Sequence, residues 1–307
     1  MKQRKQIGVL VMAYGTASSP EHIEAYYTHI RHGRPPTPEL LADLQRRYAA
    51  IGGISPLFER TQAQVAGLSA ALERLAPGRY RVALGMKHAP PFLEDGVAEL
   101  AASGVQQVIG LVLAPHYSAL SIGEYEERVR AAAPFEFTMI HQWHLAPGYV
   151  RFLADEVLSQ RAQLASEAGI EPEAVEIFFT AHSLPARVRA MGDPYEQQLR
   201  ETAEAVAQVA GLKRWSLAWQ SAGRTSEAWL GPDLLQRLDE LKGVRGVLVC
   251  PAGFVSDHLE VLYDLDIEAK AYAEERGMLL RRTRMPNDDP AFLEMLAEVV
   301  HEQGGTL

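Results

Sequence analysis

The chain has 307 residues, a length that favours two domains of about 150 residues each. Thirty Lys and Arg stand against 39 Asp and Glu, a net charge of −9 that argues against a nucleic-acid binder working through a global positive field. At 47% hydrophobic the chain can bury a sizeable core, which excludes disorder. The single cysteine, Cys250, rules out an internal disulfide, a CxxC zinc ribbon and an iron–sulfur cluster, and fits a reducing cytoplasm.

In chain order, Lys2, Arg4 and Lys5 precede the apolar run Ile7–Ala13. The pattern resembles a short secretory signal. The run is brief, however, no small-residue cleavage site follows, and Tyr14-Gly15-Thr16 reads as the end of a buried strand. No stretch approaches the ~20 apolar residues of a membrane span. Apolar runs at Ile7–Ala13, Arg81–Met86, Val108–Leu113, Glu176–Phe179, Trp215–Trp219 and Val244–Cys250 predict buried strands. Helical spacing predicts helices over Leu40–Ile51, Phe58–Leu75, Pro91–Ala102, Pro147–Ala168, Pro194–Ala210, Leu234–Leu241, Asp257–Arg276 and Pro290–Glu302. Such alternation predicts an α/β fold of parallel sheets flanked by helices.

The strand ends repeat. In the first half they read MAYGT (12–16), MKHAP (86–90) and LAPHYS (113–118); in the second, TAHSLP (180–185), WQSAG (219–223) and CPAGFVS (250–256). Two similar halves, 1–145 and 146–307, with a cleft between them, follow from this weak pseudo-repeat. The last helix is expected to pack back on the first half. Sites in open α/β sheets lie at the carboxyl ends of strands, so Tyr14, Lys87, His88, His116, His182 and the segment 250–260 become candidates. GxGxxG, GxxxxGK[ST] and GxSxG are all absent, which removes the main support for dinucleotide, P-loop and α/β-hydrolase readings.

His182 follows a strand and can serve as a base or a metal ligand; the plain alternative is a turn histidine. Asp257, Glu260, Asp264 and Glu268 fall within about 80° of one another on one predicted helix face, with Leu262, Leu265, Ala269 and Ala273 on a packing face. That face reads either as a solvated acidic surface or as a carboxylate ladder for a divalent cation such as Fe²⁺, Mn²⁺, Co²⁺ or Zn²⁺. Arg31, Arg34, Arg46, Arg47 and Tyr48 cluster near the first strand end, where they could hold a carboxylate-bearing ligand, beside the flexible loop Ile51–Pro56.

These residues resemble one family. VLVMAYGT (9–16), YYTHIRHGRPPTPELL (26–41), RYAAIGGISPL (47–57), GMKHAPPFLEDGVAEL (85–100), LAPHYS, TAHSLP, GDPYEQQL (192–199), WQSAGRTSEAWLGPDL (219–234) and GFVSDHLEVLYDLDIEAK (253–270) are similar to ferrochelatase, most of all to its soluble Gram-positive type, which acts on coproporphyrin III. Arg224 and residues 89–90 depart from common family patterns without removing a proposed ligand.

The resemblance implies two Rossmann-like domains around a porphyrin cleft and insertion of Fe²⁺ as a substrate metal, with no tightly bound cofactor required. It places His182 and Glu260 at the metal, Tyr14 on the opposite face of the macrocycle, and Arg31, Arg47, Tyr48, Ser55, Tyr125, Lys87 and His88 around the porphyrin. Asp264 and Glu268 match an acidic ridge that serves as an outer metal site or approach path. A neutral imidazole at 182 would accept a pyrrole proton, and Arg31 and Arg47 would hold peripheral carboxylates to favour a distorted ring. A cytoplasmic monomer is expected, without membrane span or nucleic acid, in transient contact with a later haem-pathway enzyme. Competing expectations are a protoporphyrin IX ferrochelatase, a cobalt or nickel tetrapyrrole chelatase, and a non-catalytic haem carrier.

Overall fold

The computed structural model describes residues 6–305. The basic residues Lys2, Arg4 and Lys5 lie outside that range. Among the described residues, eight strands form two four-stranded parallel sheets. The first comprises β1 (Ile7–Ala13), β2 (Tyr80–Met86), β3 (Gln107–Val112) and β4 (Glu136–Ile140) in the order β2-β1-β3-β4. The second comprises β5 (Glu176–His182), β6 (Ser216–Gln220), β7 (Gly246–Cys250) and β8 (Leu279–Arg282) in the order β6-β5-β7-β8. The two orders are the same, so the repeated strand ends reflect a repeated topology. Each central strand is buried along nearly its whole length, as a parallel sheet covered on both faces requires.

Helices α1 (Ile23–Ile30), α2 (Pro38–Ala50), α3 (Leu57–Leu75), α4 (Leu93–Ala102) and α5 (Ile122–Ala132) accompany the first sheet. α6 (Pro147–Ala168) leads to the second, followed by α7 (Tyr195–Ala210), α8 (Leu234–Glu240), a short α9 (Leu259–Leu262), a π-helical stretch (Asp264–Ala269), α10 (Lys270–Glu274) and α11 (Pro290–Gly305). α11 returns to α3, where Phe292 and Leu293 share a core with Leu68 and Leu72. A Cβ on Gly67 would lie 2.3 Å from the Leu293 Cδ1, so the glycine lets that leucine seat directly against α3.

Four elements were absent from the sequence reading: α1, α5, β4 and β8. The two missed strands are edge strands of five and four residues, too short for a clear alternation, and β8 carries Arg281 and Arg282. The predicted single helix Asp257–Arg276 is also corrected. It begins at Leu259 and is broken by the π-helical turn, where the Glu268 amide donates to the Tyr263 carbonyl five residues back at 2.9 Å. The packing face is consequently Val261, Leu265, Ala269 and Ala273, with Val261 in place of Leu262.

A candidate metal-insertion site at the strand ends

β5 runs through His182, which lies directly opposite Gln220 at the end of β6. The loop after β7 crosses directly over this point. The Gly253 amide donates to the Thr180 carbonyl at 3.0 Å, and a Cβ at 253 would lie 2.4 Å from that of Ala181. This close approach delivers α9 to the end of β5. Glu260 Oε1 stands 3.5 Å from His182 Nε2, while the His182 Nδ1–H donates to the Ser183 carbonyl. Both side chains are about one-third exposed, at 34% and 35%. His258 adds a second imidazole, its Nε2 3.7 Å from Glu260 Oε2 and its Nδ1 donating to the Ser256 carbonyl at 2.9 Å.

The electrostatics follow from this contact. Burial alone would pull the His182 pKa down, but the adjacent Glu260 carboxylate, the Ser183 carbonyl and Asp264 outweigh it and raise it to about 9. Burial would raise Glu260, yet His182 and His258 hold it well below the usual carboxylate range. The resting pair is therefore imidazolium and carboxylate. This corrects the expectation of a neutral imidazole at pH 7. Asp264 shows the opposite balance: burial and the nearby Glu260 charge push it up to about 7, against the lowering effects of Ser221 and Arg47.

The four-carboxylate ladder is not one cluster. Asp257 precedes the helix and turns away to Arg282 (3.0 Å) and Asn287 (2.7 Å). Asp264 is 8% exposed; its oxygens meet Arg47 Nη1 at 3.3 Å and the Ser221 hydroxyl. Among the described residues, no three His, Cys, Asp or Glu side chains converge to hold a metal ion. His182 and Glu260 stand together, whereas Asp264, expected at an outer or approach site, is paired with Arg47 and Ser221, and Glu268, expected there too, lies a turn further along the helix. Two protein donors suit a passing metal better than a resident one, since structural sites close with four protein ligands and catalytic ones with three.

On the first half, the Tyr14 side chain leaves the end of β1 and is 44% exposed. Its ring lies 4.6 Å from that of His88. Burial of the phenol, followed by the Glu260 and Glu124 charges, raises its pKa well above the ordinary value. Tyr14 and Glu260 thus feel each other across the two halves. His88 is buried and shares a 3.0 Å hydrogen bond with His29; burial and the Lys87 charge lower its pKa to about 3. Lys87 pairs with Glu124 and lies 5.3 Å over the Tyr125 ring.

Several expected ligand contacts are instead engaged within the protein. Tyr48 is 2% exposed and hydrogen-bonded to Thr16 at 2.8 Å; Tyr125 is 3% exposed. Ser55 is buried and accepts from the Leu57 amide. Arg47 bridges Asp43 (3.1 Å) and Asp264 while lying 4.9 Å over Tyr263. Arg31 donates to the Arg34 carbonyl (3.3 Å) and lies 5.7 Å over the Tyr27 ring. His116 does not join the site: it is buried against Thr202 at 2.9 Å. The departure at Arg224 has a structural role, a 2.8 Å ion pair to Asp43 that links the second half to α2.

The sequence reading did not single out Gln220, Ser221 or His29. Ser221 had a local signal only in its motif; in the structure it takes a left-handed backbone (φ 59°), an unusual state for a non-glycine, and its hydroxyl reaches Asp264.

The ferrochelatase family profile matches residues 6–304. The chain belongs to the ferrochelatase family. Among its relatives in that family, the coproporphyrin III ferrochelatase of Geobacillus sp. (strain WCH70) is 46% identical, covering 97% of each chain. That of Anoxybacillus flavithermus (strain DSM 21510 / WK1) is 45% identical over 97% of this chain and 96% of its own. Among solved structures, the siroheme-biosynthesis enzyme CbiX (TM-score 0.54, 15% identity, 96% of this chain and 98% of that one) shares the fold. So does the sirohydrochlorin chelatase SirB from Bacillus subtilis subspecies spizizenii with cobalt (0.55, 11%, 97% and 94%). At these identities the likeness to the two chelatases concerns architecture alone. No helix among the described residues is long and apolar enough to cross a membrane.

Proposed function

We propose that this member of the family inserts Fe²⁺ into coproporphyrin III, and that His182, Glu260 and Tyr14 face the reacting centre. The observation that carries the reading is the 3.5 Å contact of His182 with Glu260 at the carboxyl end of β5, with the Tyr14 phenol within reach of the Glu260 field. The choice of coproporphyrin is supported by the names of relatives at 45–46% identity over nearly the full chain. We further propose a cytoplasmic monomer of two units divided near residue 145, requiring no resident cofactor and passing its product to a later haem-pathway enzyme.

Insertion releases two protons: a free-base porphyrin loses both central N–H protons as the dication enters. His182 cannot accept one while its own Nε2 carries a proton, and the raised pKa keeps it there at neutral pH. An arriving Fe²⁺ changes this. A cation near Glu260 repels the imidazolium and lowers its pKa, so the Nε2 proton passes to the solvent that reaches this one-third-exposed pair as the metal arrives. The freed nitrogen then either ligates the metal while both pyrrole protons pass to solvent, or takes up the two pyrrole protons in turn and hands each on to solvent, and Glu260 balances the charge. Asp264, half-ionised near pH 7, adds a second carboxylate along the approach. Tyr14 stays neutral and closes the opposite face.

Anaerobic incubation with Fe²⁺ and either coproporphyrin III or protoporphyrin IX, followed by the Soret and Q bands, tests this reading. Conversion of coproporphyrin at the higher kcat/KM is expected. Preference for protoporphyrin, insertion of Co²⁺ or Ni²⁺ alone, or binding without insertion would each overturn it.

A further inference from the structure

Gln220 touches both elements that carry the reacting pair and is itself buried. It ends β6, opposite His182 in the sheet, and is 2% exposed. Its side-chain carbonyl accepts from the Thr180 hydroxyl at 2.8 Å, two residues before His182 on β5. Its side-chain amide donates to the Glu260 backbone carbonyl at 3.3 Å. Its own backbone carbonyl accepts from the Ser183 amide at 2.7 Å, one residue after His182. These three bonds bracket His182 on one side and seize Glu260 by its main chain on the other. The next residue, Ser221, reaches Asp264 one turn further along.

The span needs an amide. A carboxylate at 220 could accept from Thr180 but would offer the Glu260 carbonyl no hydrogen, and an aliphatic side chain could do neither. α9 is only four residues long and is followed at once by the π-helical turn, so it has little rigidity of its own to hold Glu260 in place.

We propose that Gln220 is a positioning residue for metal insertion: a buried strut that sets the separation between His182 and Glu260. The inference rests on the reading of that pair given above. Misplacing a reacting group by about 1 Å costs on the order of 100-fold in rate.

The test uses the full-length protein, Fe²⁺ and coproporphyrin III, and reads kcat for insertion beside porphyrin affinity from a Soret titration. Gln220→Leu should lower kcat by about 10- to 100-fold while porphyrin affinity changes less than about twofold, because no porphyrin-facing group is altered. Gln220→Glu should lose about as much as Gln220→Leu. Thr180→Val, which conserves volume, should lower kcat by a smaller factor, and Thr180→Ser should restore it. The double variant Thr180→Val/Gln220→Leu should be no worse than Gln220→Leu alone, since both act through one strut. Near-native kcat in Gln220→Leu, with Glu260→Gln inactive, would overturn the strut while leaving the catalytic pair standing. Near-native kcat in Glu260→Gln would overturn the pair and the strut with it. If Gln220→Leu fails to fold, the Thr180 pair decides: equal kcat in Val and Ser variants overturns the proposal.

Discussion

Glu260 holds His182 in its protonated form. The 3.5 Å separation brings a carboxylate far below its usual pKa against an imidazole raised to about 9, despite burial that opposes both shifts. Neutralising the carboxylate leaves burial as the main influence on the ring. In Glu260→Gln the His182 pKa should fall below its ordinary 6.5, and insertion should drop by about 10²- to 10⁴-fold. Histidine-ring NMR titration and initial rates measure the two effects. A ring still titrating near pH 9 would mean that something other than Glu260 sets its charge.

Proton and metal compete for the same imidazole nitrogen. The folded-state pKa is raised, so the protonated form dominates below about 9. At subsaturating Fe²⁺ under anaerobic conditions, kcat/KM for iron should climb close to tenfold per pH unit above 7 and level off near 9. The linkage to stability has the reverse sense. The contribution from this raised pKa is full below pH 6.5 and is lost as pH rises through about 9. A rate profile flat from 7 to 9 would exclude the imidazolium as the species that metal must displace.

Asp264 and Glu268 extend the acidic surface beyond the pair. Replacing both by Ala should raise the Fe²⁺ concentration for half-maximal rate, with porphyrin affinity unchanged. Asp264 is raised by burial to about 7, so its ionisation weakens the fold progressively between pH 3.8 and 7. Asp264→Asn should therefore compare more favourably with wild type in thermal melts at pH 8 than at pH 4. An unchanged iron dependence would remove both residues from the path of the metal.

Arg31 and Arg47 share a charge but differ in how it is used. Arg47 serves Asp43 and Asp264, whereas Arg31 meets a carbonyl and a ring. Arg31→Ala should weaken porphyrin binding by about tenfold, the scale of one charge-assisted hydrogen bond. Arg47→Ala should weaken it by less than about threefold and act mainly through Asp264. Soret titrations compare them directly, and equal losses would show that Arg47 releases its carboxylates when porphyrin binds.

Tyr48, expected at the porphyrin, is buried with its hydroxyl on Thr16. Tyr48→Phe leaves the buried Thr16 hydroxyl without its 2.8 Å partner and should cost about 1–2 kcal/mol of stability, a fall of a few degrees in Tm. Porphyrin affinity should stay the same. A tenfold loss of affinity with an unchanged Tm would place the hydroxyl on the ligand instead.

The architecture was legible wherever the pattern was local. Ile7–Ala13 and Pro147–Ala168 emerge with the boundaries that their apolar runs and flanking residues dictate. The repeated strand ends anticipate two sheets of the same strand order. The edge strands β4 and β8 were not legible, because a short strand paired on one side carries a weak pattern. The helix from Asp257 was misread in detail: periodicity assumes one uniform helix, and a π-helical turn changes which side chains share a face.

By itself, the order of residues determined an α/β protein and singled out His182, Glu260 and Tyr14 as candidates near its strand ends, since motif and strand position are properties of neighbours along the chain. The tertiary structure alone decided their charges and their company. Burial and Coulomb interaction depend on distance through space, and residues 182 and 260 are separated by 77 intervening positions in the chain yet by 3.5 Å in the fold. The same physics withdrew Arg47 and Tyr48 to internal partners and brought Gln220, inconspicuous in the sequence, between the two elements that carry the pair.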